Sequence, residues 1–123
     1  MPHTLNFIAG WWLILAAFVS GAVIGLGFHR EEFLGGYGSF RRRLLRLGHI
    51  ALAALGTMNV VYGLSTTAGA RPDLPGMLLF GGAVAMPSVC FLSAWRQPFR
   101  AFFFIPVILL LAAVILILHR IPS

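Results

Sequence analysis

Four apolar runs of about twenty residues each, with the charged residues gathered at their ends, restrict this chain to one kind of architecture. A run of that length makes a helix of about 30 Å, the thickness of the hydrocarbon core of a bilayer. The runs predict helices over 5–28, 40–66, 74–95 and 99–118, joined by short loops into two hairpins in a single domain spanning 1–123. Composition points the same way: 59% of the residues are hydrophobic and 10% charged, against about 25% charged in soluble domains. A soluble fold is excluded, and the expected class is an all-α integral membrane protein, N-out and C-out, with four transmembrane helices.

The chain carries nine basic residues, all arginine, against three acids, for a formal charge of +6. Such a balance raises the question of nucleic acid, but these arginines flank apolar helices, where they set topology and meet anionic lipid, so no nucleic-acid partner is expected. The first loop region holds Arg30, Arg41, Arg42, Arg43 and Arg46, and the third holds Arg96 and Arg100. The other side has Arg71 and Arg120. Positive charge accumulates on the cytoplasmic side of a membrane. The expectation is therefore a bacterial inner-membrane protein with loops 29–43 and 96–100 in the cytoplasm and both termini outside. Arg41, Arg42, Arg43 and Arg46 are expected to reach acidic headgroups. No cleaved signal peptide is expected, because Met-Pro-His-Thr lacks a basic residue and no small-residue cleavage pattern follows the first apolar run. The single cysteine, Cys90, excludes an internal disulfide and suits a small packing role.

Packing surfaces can be read from the small residues. Ala17, Gly21 and Gly25 recur at four-residue spacing on the first helix beside Ser20, a stripe that allows close helix approach within the bundle or in a homo-oligomer. On the second helix, Arg42, Arg46 and His49 share a face with Ala53, Gly56, Asn59 and Gly63. That face should meet protein rather than lipid, because a carboxamide or imidazole in hydrocarbon needs a partner. Thr4, Ser39 and Asp73 are placed to cap the first three helices, with Pro75 in the opening turn of the third. Pro87 should kink the third helix, with a neighbouring hydroxyl such as Ser88, or a packed helix, accommodating the freed carbonyl. Phe33, Tyr37 and Phe40 could lie among headgroups, Gly35, Gly36 and Gly38 would let the first loop turn, and Glu31 and Glu32 should pair with the arginine block. The fourth helix is bulky on every side except Ala112 and Ala113, so it should be the most lipid-exposed.

Candidate chemistry rests on four histidines. Topology sorts His29 and His49 to the cytoplasmic side and His3 and His119 to the other. Two imidazoles at one depth on facing helices could hold a b-type haem, with Arg42 or Arg46 pairing with its propionates, which makes His29 and His49 the candidate ligands. A quinone site would use His49 as proton donor to a quinone carbonyl, with Arg46 nearby. No Ser-His-Asp set is available, and no cluster has zinc-like spacing. A small multidrug exporter would carry a glutamate inside its first helix, and a fluoride channel a threonine–phenylalanine run on its third; neither occurs. The expectation is a non-enzymatic accessory or anchoring subunit of a larger membrane complex, respiratory or photosynthetic, whose partners are membrane lipids and other subunits. The alternatives are a haem- or quinone-binding electron-transfer subunit using His49, and a homo-oligomeric channel or transporter lined by Gly56, Asn59 and Gly63.

Overall fold

A computed structural model describes residues 3–30, 32 and 39–122. Among them run four α-helices, α1 (Leu5–Phe28), α2 (Phe40–Ser65), α3 (Leu74–Trp95) and α4 (Phe104–Arg120), and a 3₁₀ helix, Gln97–Phe103, leads into α4. The first three, and the continuous stretch Gln97–Arg120, are each long and apolar enough to cross a membrane. No strand occurs among the described residues. Glu31 and residues 33–38, which include Phe33, Tyr37 and the three glycines of the first loop, lie outside the described residues.

Helix starts follow local chemistry. The first amides of a helix have no partner inside it, and a side-chain oxygen just before it supplies one. Thr4 Oγ1 accepts from the Phe7 amide at 3.3 Å, Ser39 Oγ from the Arg42 amide at 3.2 Å, and Asp73 Oδ1 from the Gly76 amide at 3.0 Å. Pro75 sits in the first turn of α3, where its missing amide is no loss.

The helices pack in chain order, α1 on α2, α2 on α3 and α3 on α4, with a smaller contact between α1 and α3. Glycines set the closest approaches. A Cβ on Gly10 would fall 2.6 Å from the Gly56 carbonyl oxygen, and one on Gly63 would fall 2.5 Å from the Phe7 amide nitrogen. The α1–α2 seam is thus backbone against backbone along the half nearer the chain termini, the geometry that small residues permit in membranes. Between α3 and α4, Leu110 fills the notch left by Gly82, whose Cβ would meet Leu110 Cδ2 at 2.5 Å. Between α2 and α3, Phe91 lies over Gly48 in the same way.

Three local expectations need correction. The chain does not enter α4 at residue 99: it runs as 3₁₀ helix to Phe103, and α4 continues to Arg120 instead of stopping near 118. Pro106 has no amide to give the Phe102 carbonyl, and the loss of that bond favours the tighter 3₁₀ turn just before α4. Ser88 does not serve the carbonyl that Pro87 frees, which is that of Ala83; its hydroxyl donates to the Val84 carbonyl at 2.6 Å. Finally, α2 ends at Ser65, one residue early, because Thr66 is already extended. The bulk of α4 does face outward, with Pro106 and Ala113 its buried residues.

Candidate functional site

Helix packing gathers the polar side chains into three groups. At the end where the chain termini lie, α1 and α2 are pinned by a carboxamide pair. Asn6 Nδ2 donates to Asn59 Oδ1 at 2.8 Å and to the Gly76 carbonyl at 2.8 Å, while Asn59 Nδ2 donates to the Leu55 carbonyl at 2.9 Å. Asn59 is wholly buried. One residue, Asn6, therefore ties α1 to both α2 and α3. Beside it, Asp73 joins the α2–α3 turn to the last turn of α4: Tyr62 Oη donates to Asp73 Oδ2 at 2.7 Å, and Arg120 pairs with the same oxygen. Burial pushes the Asp73 carboxyl up. The hydrogen bonds from Tyr62, Arg120 and the Gly76 amide, with the charge of Arg120, outweigh it and hold Asp73 below its ordinary range. A pocket of about 300 Å³ opens over this network, reaching Thr67 and Arg71.

At the opposite end, Arg42 is turned into the protein and not onto the surface, where its place in the arginine block would put it within reach of headgroups. It is 1% exposed, its guanidinium stacks over the Phe28 ring at 4.8 Å, and it donates to the Arg30 carbonyl. Arg46 lies over the same ring at 6.0 Å. Arginine fits this position because its delocalised charge is weakly hydrated and stacks on aromatic faces. Arg41 and Arg43, one residue to either side, point outward and are exposed. Glu32 forms no ion pair with a described residue, and Glu31 is outside the described residues.

The third group lies between these ends. His49 leans across α1 at Gly21, where a Cβ would fall 2.6 Å from the ring's Cε1. Its Nδ1 is 3.3 Å from Ser20 Oγ, which itself lies 3.0 Å from the Ala17 carbonyl oxygen. Outside this contact runs a groove of about 570 Å³ along the α1–α2 junction, lined by Ala17, Phe18, Gly21, His49, Ala53 and Thr57 among others. The groove is partly open, and the exposed Phe18 flanks it.

Of the packing residues read from sequence, Ala17, Gly56, Asn59 and Gly63 are buried, and Gly21 meets His49. Gly25 is different: it is exposed, and a Cβ there would meet nothing within 4 Å. The stripe on α1 is packed for half its length and open for the rest. Gly56, Asn59 and Gly63 all lie in the α1–α2 seam.

His29 and His49 are not brought together. Ser20, the neighbour of His49 on α1, is nine residues before His29, about 13 Å of helix. His29 is exposed beyond the end of α1. Two rings so separated do not fit one iron. Among the described residues, no three His, Cys, Asp or Glu side chains group as a metal site. Sequence reasoning missed Asn6, Gly10 and Tyr62. Asn6 left a signal, a lone carboxamide in an apolar helix at the depth of Asn59. Comparison with known proteins yields no relative: no protein-family model, curated protein or solved structure matches the chain.

Proposed function

We propose that this chain is an accessory or anchoring subunit of a larger membrane complex. The observation that carries the reading is the uncovered outer face of the α1–α2 hairpin: Gly25 faces open space, and the groove beside it holds an imidazole and a hydroxyl with no helix over them. Polar groups turned toward hydrocarbon are costly, and a neighbouring helix or a bound molecule removes that cost. The arginine bias supports an orientation in a bacterial inner membrane with the Arg41–Arg43 end in the cytoplasm and both termini outside. Purification of the tagged protein from its own membranes in mild detergent tests the reading. A stoichiometric co-purifying subunit is expected; a chain that runs alone and stays folded overturns it.

One observation favours a second reading within the first. A groove that opens sideways to the bilayer and carries one imidazole is accessible to a lipid-soluble ligand, and the carriers of respiratory and photosynthetic chains belong to that class. Electron-transport complexes are therefore the assemblies to test first. A co-purified lipid-soluble molecule of the quinone–hydroquinol class that is lost in His49→Ala is the expected result, and retention in the variant rejects His49 as its contact.

A further inference from the structure

Hydrogen-bond accounting around His49 defines what the groove lacks. A serine hydroxyl has one proton to give. Ser20 Oγ is nearer to the Ala17 carbonyl oxygen, at 3.0 Å, than to His49 Nδ1, at 3.3 Å, and back-bonding to the preceding turn is the habit of a serine inside a helix. The proton goes to Ala17. Ser20 then turns a lone pair toward His49, so in the neutral ring Nδ1 carries the proton and donates to Ser20, leaving Nε2 as an acceptor. No described residue donates to Nε2. Thr57 behaves like Ser20: its hydroxyl donates to the Ala53 carbonyl at 2.8 Å, and only its lone pairs remain. The polar side chains of this groove therefore offer acceptors and no donor, between walls that are otherwise apolar or small.

We propose that the groove binds a lipid-soluble molecule through a hydroxyl group, of the hydroquinol class, in preference to the corresponding quinone. The ligand's O–H donates to His49 Nε2. A quinone carbonyl only accepts, and would set its lone pairs against that of Nε2. The proposal deepens the second reading above and rests on it. Size and depth agree: about 570 Å³ lies within the usual range of about 300–1,000 Å³ for small-molecule sites. His49 is three residues, about 4.5 Å, beyond Arg46, so a polar head at Nε2 sits just inside the arginine layer. From there the groove runs about 12 Å along α2 to Thr57, deeper into the apolar span, where a tail would lie.

The test uses the full chain in lipid nanodiscs and three probes of nearly equal shape: a decyl-substituted hydroquinone held reduced under anaerobic conditions, its quinone, and its dimethyl ether. The hydroquinone should bind about tenfold more tightly than either of the others, the ratio one hydrogen bond of about 1.4 kcal/mol produces. His49→Phe should bring all three to the level of the ether. Ser20→Ala, which releases the ring to adopt either tautomer, should narrow the preference without abolishing binding. Equal or tighter binding of the quinone overturns the proposal, as does absence of binding by protein that circular dichroism shows to be folded. A photo-crosslinking residue at Phe18 in native membranes separates the two readings. Capture of a partner's helix in the groove overturns the hydroquinol proposal and leaves the accessory-subunit reading intact. Hydroquinone binding by a chain that co-purifies with nothing overturns the accessory-subunit reading alone.

Discussion

Asn6 illustrates how much one side chain can organise when the surroundings are apolar. Replacing it with alanine leaves the Asn59 carboxamide oxygen without its donor and takes from the Gly76 carbonyl the side-chain donor it has beyond the helix ladder, both in the buried part of the bundle. Interhelical hydrogen bonds in membranes average about 0.6 kcal/mol and reach about 1.7. Asn6→Ala should therefore lower stability by about 1–3 kcal/mol in denaturant titrations of the detergent-solubilised protein. Asn59→Ala made on that background should add less than it does alone, because the two share one bond. Asp73 makes a different prediction. A carboxylate held below its ordinary range in the folded state contributes stability that is complete above its unfolded value and lost as pH falls through the folded one. Melting temperature should thus drop on acidification below the ordinary carboxylate range, and Asp73→Asn should flatten that part of the profile. A slope unchanged in Asp73→Asn would assign the acid sensitivity elsewhere.

At the scale of the helices, the packing differs from one face to the next, and two glycines on α1 measure the difference. Gly10→Ala places a methyl group against the Gly56 backbone and should destabilise by about 1–3 kcal/mol, as overpacked sites do. Gly25→Ala places one in open space and should be neutral or slightly stabilising, by up to about 1 kcal/mol of helix propensity. If the second variant instead destabilises in native membranes but not in detergent, a partner contacts that face. The same contrast explains what could be read in advance. Length and apolarity set the four spans, and Thr4, Ser39 and Asp73 marked three of the starts, because those signals are local. Which glycines touch which backbone depends on the rotation of one helix about another, and a four-residue stripe such as Ala17, Gly21 and Gly25 is consistent with several rotations. Arg42 was misjudged for a related reason. In the sequence it is one of three consecutive arginines, and only the rotation of α2 turns it toward Phe28 while Arg41 and Arg43 face away.

For the whole molecule, the hairpin order puts the turn between α2 and α3 at one end and the arginine-rich turn at the other, which makes orientation measurable. Cys90 is fully buried and supplies a silent background. Thr67→Cys should react with a membrane-impermeant thiol reagent in intact cells, and Arg43→Cys only after lysis. The reverse pattern would invert the topology argued from the arginines. The contact of Asp73 with Arg120 also has a consequence in time. Tyr62 is made 11 residues before Asp73, but Arg120 follows 47 residues after it. At about 5–20 residues per second, that delay is roughly 2–10 s. Over that interval α3 and then α4 are still being made, and the carboxylate is held by Tyr62 and the Gly76 amide without its arginine. Arrival of Arg120 closes the assembly, so the latest of these residues to be synthesised is the latch on a turn completed seconds earlier.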